Sequence, residues 1–397
     1  MAREKRLINI INVLELNETL HSLFRYNLMT KDIEFTRKIS DEITEWRHGE
    51  YLTDEDLVHL KHYLSIIMPN EYDKKSIEEA VMITSKRRAY NPLTNYLNKL
   101  VWDGESRIDR WLIDLCGSPD NNYIRTVSRK FMCGAVARAL EPGCKFDYML
   151  ILEGEQGIGK STLVEVLGGK WYLDTHLCGS DNKKDLIDIM RTAWIIEISD
   201  MAGFRKSDLE YLKAFITRKV DRIRLPYDRR SQDFPRQCIM IGTHNPSGSN
   251  EYFRDDTGNR RFWPVECKYA DYHRAADIRD QLFAEAVIKL REGESLFLED
   301  NDVLNILFNM QEERSMKNPY DSILEEYTSG KYSVTIVEII QNALECNINR
   351  MQAKDLRGKQ TIVGIWLRKK RFRKQGNIYI NPKLVNKPVA AEEVWNE

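Results

Sequence analysis

At 397 residues the chain is too long for one small core, and two or three domains are expected. Lysine plus arginine total 60 against 61 aspartate plus glutamate, for a net charge of −1, and 42% of residues are hydrophobic. This ordinary globular balance excludes a whole-chain basic field, so any nucleic-acid contact has to come from local patches.

The seven cysteines, Cys116, Cys133, Cys144, Cys178, Cys238, Cys267 and Cys346, show no CxxC spacing and no finger-type pairing with histidine. A zinc site or disulfide framework is therefore not expected, and a reducing, cytoplasmic compartment is. The start, MAREKRLINIINVLEL, lacks the apolar core of a signal peptide, and no run of 18 apolar residues predicts a membrane span.

Residues 1–95 read as a helical domain or collar. The run 54–68 carries apolar residues at three- and four-residue spacing, and Thr53 with Asp56 reads as its cap. Residues 96–143 read as a helical linker, with 123–140 as a helix broken by Glu141-Pro142-Gly143. Beyond 144 the texture changes. Apolar runs at 148–154, 193–198, 237–243 and 261–265 alternate with helical patterns, which predicts an α/β domain over 144–315. Residues 316–397 read as helix (334–344), basic helix (362–374) and hairpin (376–382), the order of a winged-helix module.

The first apolar run leads into Gly154-Glu155-Gln156-Gly157-Ile158-Gly159-Lys160-Ser161, which fits GxxxxGK[ST]. The pattern needs glycines because the backbone must curl until its N–H groups face phosphates. It predicts a P-loop for ATP, held by Gly154, Gln156, Gly157, Ile158, Gly159, Lys160, Ser161 and Thr162. Lys160 would meet the β/γ oxygens, Ser161 would hold Mg²⁺, and the helix from Thr162 would present its positive end to the anion. The bland alternative is a glycine-rich turn with an incidental lysine.

Such a loop needs an acid on a neighbouring strand. Glu197, at the end of 193–198, is the better choice for holding Mg²⁺; Asp200 follows it and serves equally as a helix cap. Asn245, past the end of the third run, fits a polar residue that orients attacking water, or else a turn before Pro246. His244 has no evident role. Arg260 and Arg261 stand at the start of the fourth run, where one of them can act as a finger toward a neighbour's γ-phosphate or both can be surface residues.

Two basic segments are candidates for DNA. Residues 217–230 hold Arg218, Lys219, Arg222, Arg224, Arg229 and Arg230 with Tyr227 among them. Asp221 and Asp228 partly balance that charge, which leaves a solvated loop as the alternative. In the second segment Arg368, Lys369, Lys370, Arg371, Arg373 and Lys374 crowd a helix whose buried side would be Ile362, Ile365, Trp366 and Phe372.

The motif series Trp102-Asp103-Gly104, GEQGIGKST, AWIIEISD, KAFITRKVDRIRLPYDRR, GTHNP and TGNRRFWPV resembles the virulence-associated protein E family, over about residues 95–300. That family lies among the superfamily 3 helicases and AAA+-like ring ATPases of phages and mobile elements. The resemblance implies an ATP-driven hexameric ring acting on DNA in replication of a mobile element. It also implies Arg260 or Arg261 as the trans-acting finger, and the 217–230 hairpin in the central pore on single-stranded DNA. No primase motif is evident upstream. Three readings follow: a helicase or translocase, a non-processive initiator or loader, and a regulatory or defence switch that binds a protein partner.

Overall fold

The computed structural model describes residues 2–37, 51–69, 72–175, 189–199, 201, 204, 206–224, 230–246, 259–314 and 320–385. They fall into two units, Met1–Arg314 and Ser315–Glu397.

In the N-terminal part, helices α1 (Ala2–Leu16), α2 (Asp54–Ile67) and α3 (Lys74–Arg87) bury Ile10, Leu14, Leu60, Leu64, Ile77 and Val81 together. Thr53 and Asp56 close a reciprocal capping box at the start of α2, in which each side chain accepts from the other's backbone N–H. The expectation that 1–95 is helical throughout needs correction. Strands β1 (Phe24–Tyr26) and β2 (Ile33–Phe35) pair antiparallel, with Phe24 opposite Phe35. Both are three residues long, too short to leave a period-two signal. The buried Glu34 carboxylate accepts from Arg25, Asn27 and Tyr90, which satisfies it away from water.

Helices α4 (Pro92–Lys99), α5 (Trp111–Cys116) and α6 (Asn122–Leu140) lead into the sheet. Its strands are β3 (Met149–Glu153), β4 (Tyr172–Thr175), β5 (Ile195–Ile198), β8 (Ile239–His244) and β9 (Phe262–Glu266). All five are parallel, in the order β4-β5-β8-β3-β9. The apolar runs do not alternate with polar residues because both faces are covered. Leu150 and Leu152 of β3 pack with helix residues Phe131, Leu163 and Phe283 on one face; Met149 and Ile151 pack with Leu209, Leu212 and Phe215 on the other. Truncating any of these leucines to alanine would cost ~2–5 kcal/mol.

Between β5 and β8 the chain forms a helix, Lys206–Ile216, and an antiparallel pair, β6 (Val220–Ile223) with β7 (Gln232–Pro235). Buried Arg236 anchors the base of this pair: its Nε donates to Asp221 at 2.5 Å and it also donates to the Phe215 carbonyl.

The second unit has helices Asp321–Thr328 and Ala353–Lys369 and a three-stranded antiparallel sheet, with β10 (Ser333–Thr335), β12 (Ile378–Ile380) and β11 (Arg373–Gln375) in that order. Two sequence expectations shift here. The helix expected over 334–344 is β10, a Thr335-capped turn and a π-helical turn at Ile339–Ala343. The basic helix starts at Ala353 and stops at Lys369, because Arg371 turns to φ 62° and the chain reverses to bury Phe372 beside Trp366. Its buried face is Val363, Trp366 and Leu367 at helical spacing, whereas Ile362 and Ile365 are 37% and 36% exposed.

Candidate functional site

The site lies where three neighbouring strands end. β3 runs into the glycine loop 154–159, after which Lys160–Gly168 forms a helix with no side-chain cap. The loop's glycines answer to different demands. Gly157 and Gly159 have φ +84° and +94°, in the region that favours glycine, and a Cβ on Gly157 would meet nothing within 4 Å. Gly154 is held by crowding: a Cβ there would lie 2.3 Å from the Cys267 carbonyl oxygen. Gln156 is exposed, and Ile158 packs partly buried against the core.

Lys160 is buried, and its Nζ donates to the Gly154 and Glu155 carbonyls at 2.7 Å and to Asn245 Oδ1 at 2.8 Å. Burial pulls its pKa below the ordinary lysine value, while Cys267 and Glu197 oppose that shift. Asn245 comes to Lys160 because β8 pairs directly with β3, with Glu153 opposite His244.

Glu197 is the penultimate residue of β5, on the other side of β8, and is fully buried. Three hydroxyls satisfy it: Ser161 and Thr243 donate to Oε1 at 2.7 and 2.8 Å, and Tyr172 donates to Oε2 at 2.6 Å. Burial first, then Glu197 itself, holds the Tyr172 phenol far above its usual pKa, so it remains a donor. Ser161 and Glu197 are hard oxygen donors of the kind magnesium takes. Among the described residues, no group of three or more His, Cys, Asp or Glu is arranged to hold a metal. Thr162 is exposed on the helix's first turn.

Sequence reasoning missed Tyr172, which stands in no motif, and Thr243, which stands in GTHNP beside the more evident Asn245, as partners of Glu197. It also missed Arg314, which grips Glu153 at the root of the loop through Nε and Nη2, each 2.6 Å from a carboxylate oxygen.

Arg260 and Arg261 lie at the opposite end of the sheet. Register places Phe262 of β9 beside Met149, so the arginines flank the start of β3, about 16 Å along the strand from the loop. Arg260 is exposed. The two arginines do not meet Lys160 or Glu197 of their own chain.

Of the basic residues in 217–230, Arg218, Lys219, Arg222, Arg224 and Arg230 are exposed. Arg222 on β6 and Arg224 just after it are exposed, while Asp221 and Ile223 are buried. Arg222 is 3.6 Å from Asp233, and Arg218 is 3.7 Å from Asp221. In the second unit, Arg368, Lys369 and Arg371 are exposed. Asp200, Tyr227 and Arg229 lie outside the described residues.

A parallel α/β sheet with a glycine loop at one strand end and a buried acid two strands away defines the class. Residues 97–316, more than half of the chain, match the virulence-associated protein E-like domain, and the chain belongs to that family. No curated protein matches. Among solved structures, the apo NrS-1 C-terminal region (305–718 of that protein) has a TM-score of 0.47 at 12% identity, covering 85% of this chain and 83% of that one. The A form of the same region has a TM-score of 0.49 at 10% identity, covering 94% and 98%. No helix among the described residues is long and apolar enough to cross a membrane.

Proposed function

We propose that this chain is a P-loop ATPase of the superfamily 3/AAA+ type, a ring-forming motor that moves DNA in replication of a phage or mobile element. One observation carries the reading: Lys160 and Ser161, Glu197, and Asn245, from three separate stretches of the sequence, converge at the ends of β3, β5 and β8.

The residues fit ATP with magnesium. The loop has open space over Gly157, and the uncapped helix beginning at Lys160 offers backbone N–H groups to an anion. Lys160 would trade its carbonyl partners for phosphate oxygens. Ser161 and Glu197 would hold Mg²⁺, which when bound neutralises phosphate charge. Thr243 and Tyr172 fix the Glu197 carboxylate, and Asn245 orients the attacking water. Arg260 or Arg261, remote from its own loop, would serve the loop of an adjacent subunit in a hexamer.

For DNA, the outward Arg222 and Arg224 of the β6–β7 pair would line a central pore on single-stranded phosphates. The second unit, read as a winged helix, would add Arg368, Lys369 and Arg371. That separate basic unit also favours a second reading, a non-processive initiator that holds a duplex site. The test is ATP turnover with and without single-stranded DNA, alongside strand displacement on a forked duplex. DNA-stimulated turnover with displacement supports the motor. Duplex-site binding without displacement supports the initiator, and turnover indifferent to DNA overturns both.

A further inference from the structure

A cleft of about 1030 Å³ opens between the β1–β2 hairpin, helix α4 and the far end of the helix that follows the glycine loop. Pockets for small ligands run from ~300 to ~1,000 Å³, so it is large enough for a nucleotide. Four cations line it: Arg25, Lys99, Lys170 and Arg279. Among the described residues lining it, Glu34 is the one acid, and its carboxylate is already taken up by Arg25, Asn27 and Tyr90. Arg279 in turn pairs with Asp280 at 3.0 Å, so the uncompensated positive charge on the wall is that of Lys99 and Lys170. Lys99 and Lys170 are exposed, and Lys170 Nζ lies against the Trp171 ring.

The same cleft has an aromatic floor. Half-buried Tyr96 and Tyr172 supply it, backed by Trp171, which is 8% exposed, lies 5.4 Å from Tyr96 between ring centroids and carries Lys170 Nζ 4.7 Å from its ring. Arg279 is fixed beside them, with Nε donating to the Leu167 carbonyl at 2.9 Å and Nη1 to the Tyr96 hydroxyl at 2.6 Å. Flat rings beside free ammonium groups suit a base joined to phosphate. Nothing in the Lys160 site draws on these residues, apart from the bond from Tyr172 to Glu197.

We propose that this cleft is a second nucleotide-phosphate site, distinct from the glycine loop, with Lys99 and Lys170 on the phosphate and the half-buried rings of Tyr96 and Tyr172 against the base. Its wall residue Tyr172 touches Glu197, so a ligand stacked there bears on the carboxylate of the first site. The inference stands on the cleft alone and does not depend on the loop hydrolysing ATP.

The experiment uses the full chain with Lys160→Ala, which removes the loop's clamp, and follows quenching of tryptophan fluorescence by mant-ADP. One saturable binding event per chain is expected to remain. Adding Lys99→Glu and Lys170→Glu, both at exposed positions, is expected to raise its Kd at least about tenfold. Loss of all saturable binding in Lys160→Ala overturns the proposal, as does binding that ignores the two charge reversals. A short oligothymidylate that displaces mant-ADP identifies a DNA strand as the source of the base and phosphate. Displacement by free ADP but not by the oligomer identifies a free nucleotide.

Discussion

Arg314 and Glu153 form a two-pronged ion pair at the root of the glycine loop, with their side chains 10% and 5% exposed. Glu153 is the last residue of β3 and is joined directly to Gly154; Arg314 follows the helix Asn301–Glu313. The pair ties the glycine loop's anchor to the last helix of the first unit. Breaking one side of a buried pair leaves an uncompensated charge, at a cost of ~3–5 kcal/mol. Arg314→Met and Glu153→Gln are each expected to lower unfolding stability by about that amount in denaturant titrations. The double variant Glu153→Leu/Arg314→Met should be less damaging than the sum of its parts, and additive losses would show that the two residues act separately.

Under the proposed ATPase reading, Lys160 and Glu197 should fail differently. Lys160→Ala is expected to abolish ATP turnover and weaken ATP binding, because it removes the one buried ammonium at the loop. Glu197→Gln should keep ATP binding and lower turnover by two orders of magnitude or more, as expected when an electrostatic group of a catalytic site is lost, roughly 10²–10³. Equilibrium ATP binding measured beside turnover separates the two outcomes.

The hydroxyls around Glu197 should matter although they touch no phosphate. Tyr172→Phe keeps the ring and removes the 2.6 Å donor to Oε2. Partners that orient a ligating carboxylate are typically worth ~10–100-fold. Turnover should fall within that range and the magnesium requirement should rise, with thermal stability nearly unchanged. A variant with wild-type magnesium dependence would show that Tyr172 does not position the acid.

The outward face of β6 offers a cleaner separation of folding from DNA contact. Arg222 is 74% exposed in its side chain and Arg224 is exposed, so Arg222→Glu/Arg224→Glu should leave the melting temperature within a degree or two. DNA stimulation of turnover should be lost. If full DNA stimulation survived the reversal, the hairpin would be excluded from the DNA path.

Arg260 and Arg261 predict complementation. Each single-alanine variant is tested alone, then mixed with Lys160→Ala. Whichever arginine is the finger should lose turnover alone and regain part of it in the mixture, where an intact loop can meet an intact arginine. Full turnover in both arginine variants would rule out a shared site.

Much of this was legible in the sequence because the relevant signals are local. A sheet covered on both faces produces the unbroken apolar runs that mark β3, β5, β8 and β9, and the glycine loop follows its strand without interruption. The short hairpin at Phe24–Phe35 was not legible, since three-residue strands leave no period and their register depends on the buried Glu34 network. Nor were Tyr172, Thr243 and Arg314: each reaches the site across strands or helices, and their partners are 25, 46 and 161 residues away. The basic helix was placed too far along the chain because a run of Arg and Lys has no apolar rhythm, and its end is set by Phe372 turning inward.

The contact between Gly154 and the Cys267 carbonyl separates two things that the motif GxxxxGK[ST] writes as one string. A side chain at 154 would collide with a neighbouring strand's exit whether or not any phosphate were present. The first letter of the motif therefore records how tightly β3 and β9 close, a demand set by the sheet and not by any ligand. Gly157 and Gly159 answer instead to backbone conformation, at φ +84° and +94°, so a side chain at 154 fails by collision and one at 157 by strain alone.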